Sequence, residues 1–82
     1  MIKILRLPGD CAVRLHDHAQ TESRAYQELD RAIHLETPGS APSNICPVVC
    51  DSSLVVELMD VAVRYSSEDA QAVSNAYVKA FR

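Results

Sequence analysis

Between Asp51 and Tyr65 the polar residues Ser53, Glu57, Asp60 and Arg64 recur at spacings of four, three and four. That interval draws one narrow stripe down an α-helix. Leu54, Val55, Val56, Leu58, Met59, Val61, Ala62, Val63 and Tyr65 fill the rest of its circumference. The valines favour a strand. A strand, however, would put Asp60 and Arg64 on the same face as Leu54, Val56 and Leu58, so the periodicity predicts a helix over about 52–65. Asp51, Ser52 and Ser53 supply N-cap oxygens, and Asp60 with Arg64 makes a favourable i,i+4 pair.

A second helix is expected over 67–82. Ser66 or Ser67 caps it, Glu68 and Asp69 face the positive end of its dipole, and Lys79 and Arg82 sit at the other end. Val73, Tyr77 and Phe81 form its apolar row. Beside them Ala72, Ala76 and Ala80 form a small-residue row along which another helix can approach closely.

The first half carries a weaker pattern. Ala25, Leu29, Ala32 and Ile33, with Tyr26 beside them, read as helix. Residues 10–18 fit two periods. As a strand, Val13 and Leu15 oppose Arg14, His16 and His18. As a helix capped by Asp10, Ala12, Leu15 and Ala19 extend the stripe of Tyr26, Leu29 and Ile33. Leu7-Pro8-Gly9-Asp10 suits a type II turn, whereas two-residue hairpins use primed turns, which favours the helix. Glu36–Pro47, rich in Pro, Ser, Gly and Asn, reads as a long loop of the kind that is often functional.

The expected fold is therefore mainly α: a single domain over 1–82 with three helices (about 11–35, 52–65 and 67–82) behind an extended N-terminal segment. The alternative is α+β. Residues 11–19 and 54–62 share Val13/Val56, Leu15/Leu58, Asp17/Asp60 and Ala19/Ala62, a duplication that would imply two β-β-α units and a four-stranded sheet.

Composition narrows the functional classes. An 82-residue chain cannot hold a two-domain enzyme, a dinucleotide fold or a TIM barrel. Eight Lys and Arg against eleven Asp and Glu leave a charge of −3. With no recognition helix and few aromatics, that balance argues against nucleic-acid binding. No apolar run approaches the roughly eighteen residues of a membrane span. Met1–Leu7 is too short and too charged for a signal-peptide core. Three cysteines without a secretion signal point to reduced thiols in a cytoplasm.

Catalytic chemistry finds no motif. There is no nucleophile elbow, no phosphate-cradling loop and no framed Cys–His pair. Glu28/Asp30 and Glu68/Asp69 read as solvated faces and a helix start. Cys46 and Cys50 have three intervening residues and could pair with His16 and His18 around zinc. That set requires residues 10–18 to be a strand, because on a helix His16 and His18 point about 200° apart.

The positive signal is an apolar surplus. Nine of the twelve residues from Leu54 to Tyr65 are apolar, more than a one-sided surface helix carries. The chain offers few faces to cover it, and an uncovered apolar patch marks an association site. The sequence thus predicts a small acidic cytoplasmic module that acts by binding a protein partner or by dimerising, as a regulator, adaptor or inhibitor, with no catalysis and no cofactor. Its expected interaction surface is Leu54, Val55, Leu58, Met59, Val63, Tyr77 and Phe81. The alternative is a small zinc domain using Cys46, Cys50 and His16/His18.

Overall fold

In a computed structural model, which describes residues 1–33 and 45–82, strand β1 (Lys3–Pro8) leads into helices α1 (Gly9–Glu22) and α2 (Tyr26–Ala32). Strand β2 (Ile45–Cys50) leads into α3 (Ser52–Tyr65) and α4 (Ser67–Phe81). The strands pair antiparallel, Leu5 opposite Val48, and Ile33 adds a single bridge to Val48. The chain is mainly helical with a small two-stranded sheet.

Helices α3 and α4 form where the polar spacing places them. The Asp51 carboxylate accepts from the Leu54 amide at 3.0 Å, and Ser66 Oγ accepts from the Asp69 amide at 3.3 Å. Both bonds satisfy amides that a helix leaves without intrahelical partners. On α3, Val55, Leu58, Val61 and Ala62 are buried while Ser53, Asp60 and Arg64 face water. Packing on the apolar stripe outweighs the β-preference of the valines.

The single helix expected over 11–35 is two helices. It breaks at Ser23, whose backbone is extended at φ −89° and ψ 131°. The Ser23 hydroxyl accepts from the Ala25 amide at 3.1 Å and donates to Glu57 of α3 at 3.2 Å. A serine side chain offering the backbone a local partner competes with the helical ladder, and here the tertiary contact holds it in place. The first helix starts at Gly9, so Asp10 lies in its first turn and accepts from the adjacent Cys11 amide instead of capping it. Helix α2 ends at Ala32 because Ile33 pairs with Val48. Ile45, Cys46 and Pro47, expected in the loop, belong to β2; the rest of that loop lies outside the described residues.

The two halves share the 43-residue offset and the element order, but the repeated unit is β-α-α, and among the described residues the sheet has two strands, not four. Helices α1 and α3 are both 14 residues long and begin at Gly9 and Ser52, 43 positions apart. At the same offset Ala12/Val55, Leu15/Leu58 and Ala19/Ala62 are all buried. Ser23 and Ser66 are the matching C-caps. Leu5 and Val48 are also 43 apart and are direct cross-strand partners. The halves are therefore related by a pseudo-two-fold passing between those two residues. They interlock: α4 packs against β1 and α2 against β2, so each strand is flanked by the other unit's second helix. Leu5, Leu7, Val48 and Cys50 on the inner sheet face join Leu15, Leu29, Leu58 and Val73 in one core.

Candidate interaction surface

Two of the residues expected to form the interaction surface are not on the surface. Val55 and Leu58 are in the core, 5% and 0% exposed, and Leu54 and Met59 are half-buried against it. The α3 surplus is covered largely because α1, α4 and β2 all reach this helix. Val63 stays 66% exposed. Tyr77 and Phe81 stack on each other along α4 with ring centroids 5.1 Å apart.

Besides Val56 and Val63 of α3, 62% and 66% exposed, apolar residues are also left uncovered on the sheet. A half-buried antiparallel sheet ordinarily turns apolar residues inward and polar ones to water. Here the inward positions Leu5, Leu7, Cys46, Val48 and Cys50 are buried as expected. The outward positions of β1 are Ile4, Arg6 and Pro8; those of β2 are Ile45, Pro47 and Val49. Only Arg6 is polar. Ile4 is 49% and Ile45 45% exposed, and Ile2, just before β1, is 70% exposed. The sequence hid this feature because Ile4 and Val49 are distant in the chain and face each other only through strand register.

A notch flanks this face on either side. One, of about 130 Å³, lies between β1 and α4 and is lined by Ile4, Arg6, Ala76, Lys79 and Ala80. The small-residue row of α4 thus borders a strand, where the sequence suggested another helix. The other notch, of about 430 Å³, is lined by Glu28, Arg31, Ala32, Val49, Asp51 and Leu54. The pseudo-two-fold relates them: Arg6 and Val49 are equivalent, as are Ala76 and Ala32 to within one residue. Their charges differ, two cations against a net single negative charge. Among the described residues Arg6, Lys79 and Glu28 have no ion-pair partner.

The other polar clusters hold the fold together. Asp69, read from the sequence as a solvated helix start, is 2% exposed. Arg14 grips it with a fork, Nε to Oδ2 at 3.0 Å and Nη2 to Oδ1 at 2.7 Å, which ties α1 to α4. The Arg14 hydrogen bond, outweighing burial, holds the Asp69 carboxyl below its usual range. Burial, then the Asp69 charge, pushes Cys11 up to about 12. Burial, then Asp51, pushes Cys50 to about 11. Neither presents a thiolate at neutral pH, so neither has the character of a nucleophile.

His16 and His18 lie on α1 and diverge, as the helical reading required. His16 Nε2 is 2.6 Å from Asp30 Oδ1, and the Tyr26 hydroxyl donates to the same oxygen at 3.2 Å, pinning α2 to α1. The His16 bond is the main reason that Asp30 sits below the usual carboxylate range. His18 stacks on Tyr65 of α3 with centroids 3.8 Å apart. Cys46 and Cys50 face the core from β2. The zinc set therefore does not assemble: among the described residues no three His, Cys, Asp or Glu side chains converge on one point. Nor is any described helix long and apolar enough to cross a membrane.

No family model, curated protein or solved structure matches the chain.

Proposed function

We propose that this protein is a non-catalytic cytoplasmic interaction module, a regulator, adaptor or inhibitor that works by docking another protein surface on the outer face of its sheet. One observation carries the reading: apart from Arg6, every outward strand position is apolar. Contiguous exposed apolar patches with a polar rim are characteristic of association sites. The rim here is Arg6 and Lys79 on one side and Glu28, Arg31 and Asp51 on the other. The clusters beneath it support the same reading, since the Arg14–Asp69 and His16–Asp30 pairs brace helices against each other and leave a stiff platform.

Site-specific photo-crosslinking in the source cells tests it. A photoreactive residue at Pro47, on the face, is expected to give a discrete protein adduct. The same residue at Gln71, on the exposed side of α4, is expected to give none. The reading fails if Pro47 yields no adduct, or if Gln71 yields the same one.

A further inference from the structure

We infer that the occupant of the outer sheet face is a second copy of this chain, stacked sheet on sheet about a two-fold axis that runs along the strands. This rests on the sheet face being an interaction surface, and adds the identity of the partner. Three features of the face make it self-complementary.

First, its centre is apolar. Ile4 and Val49 are direct cross-strand partners and both point outward. They form a ridge that a second ridge can cover, as in the face-to-face packing of two sheets. Second, the ridge separates two notches of opposite charge. On the β1 side lie Arg6 and Lys79, with Ile4 in the wall. On the β2 side lie Glu28 and Asp51 together with Arg31, a net single negative charge, with Val49 in the wall. Turning one copy over about an axis parallel to the strands exchanges left and right, and so seats the basic notch of each copy on the acidic notch of the other. An isologous interface has this property: a contact and its mirror occur together. A two-fold perpendicular to the strands would oppose cation to cation, so charge selects one of the two ways of stacking.

Third, the charges that would meet are available. Arg6, Lys79 and Glu28 are exposed and without ion pairs among the described residues. Arg31, the cation in the acidic notch, turns its Nε back to the Gln27 carbonyl at 3.4 Å. Asp51 keeps one oxygen on the Leu54 amide and has the other to offer. The pseudo-two-fold inside each chain explains why the notches match in position. Both are the gap between a strand and the second helix of the opposite unit.

A charge exchange read by sedimentation equilibrium and native mass spectrometry decides the matter. Wild-type protein is expected to be dimeric at tens of micromolar, with weaker dimers at high salt. Arg6→Glu with Lys79→Glu, and separately Glu28→Lys, should each weaken self-association by about tenfold or more. The two variants mixed in equal amounts should recover a heterodimer of near wild-type affinity, because each altered notch again faces its opposite. All these side chains are exposed, and unchanged circular dichroism and melting confirm that the variants fold. The inference is overturned if wild type is monomeric at these concentrations, if the variants dimerise as well as wild type, or if mixing restores nothing. A monomeric wild type whose Pro47 position still crosslinks a different protein removes the second copy as partner and leaves the interaction reading intact. A monomer with no adduct removes both.

Discussion

Asp69→Ala measures how much of this fold depends on a carboxylate that sequence alone assigns to solvent. The side chain is 2% exposed and takes two guanidinium hydrogen bonds at 3.0 and 2.7 Å. A hydrogen bond to a charged group contributes about 1.5–3 kcal/mol net. Arg14 is 44% exposed, so water solvates it once the carboxylate is gone, which keeps the loss near the lower end. The expected cost is about 2 kcal/mol, a fall in Tm of roughly 8–16 °C for a domain of this length. The reverse deletion, Arg14→Ala, leaves a buried carboxylate without its cation, and its pKa should rise. The pH dependence has a definite sign. Because the folded carboxyl lies below its ordinary value, its stabilisation is fully present above that value and is lost as pH falls through the folded pKa. Thermal and urea melts between neutral and acid pH should show an acid limb in wild type that flattens in Asp69→Ala. In Arg14→Ala the folded carboxyl returns towards or above its ordinary value, so the acid limb should flatten there too. A double-mutant cycle completes the assay. The reasoning is refuted if Asp69→Ala melts with wild type, or if the two losses simply add.

The pseudo-two-fold makes Leu15 and Leu58 equivalent, 1% and 0% exposed, so each Leu→Ala change should cost about 3 kcal/mol; a gap of more than about 2 kcal/mol between them in urea melts would break the equivalence. Ser66→Ala removes the cap on Asp69 N and should cost about 1 kcal/mol, while Ser52→Ala, exposed beside the Asp51 cap, should stay within about 0.5 kcal/mol. Cys11 and Cys50 should resist a disulfide reagent at neutral pH in the native protein and react at once in urea; rapid native labelling of either, read by peptide mass spectrometry, would contradict their burial.

Much of the second half was legible in the chain itself. The 4-3-4 recurrence of Ser53, Glu57, Asp60 and Arg64 is local, and a helix is the backbone form that gathers such positions. The caps at Asp51 and Ser66 act within three residues, so they too can be read without a partner. The first half resisted because its decisive contacts are distant. Ser23 breaks a helix that periodicity would continue, and it does so while bonded to Glu57. The match between residues 11–19 and 54–62 was visible, yet its meaning waited on register, which alone puts Leu5 opposite Val48.

The candidate surface shows the same division. Sequence determined that this chain carries more apolar residues than a simple one-sided helix needs, and it pointed to α3 as the place of the surplus. Tertiary structure divided that surplus: α1, α4 and β2 pack on α3 and cover Val55 and Leu58 but leave Val56 and Val63 exposed, and Ile4 and Ile45 on the outer sheet face are left exposed as well. Hydrophobic periodicity states how many faces an element must bury. Which of those faces stays open depends on how many neighbours pack around each element, and that is a property of the assembled chain.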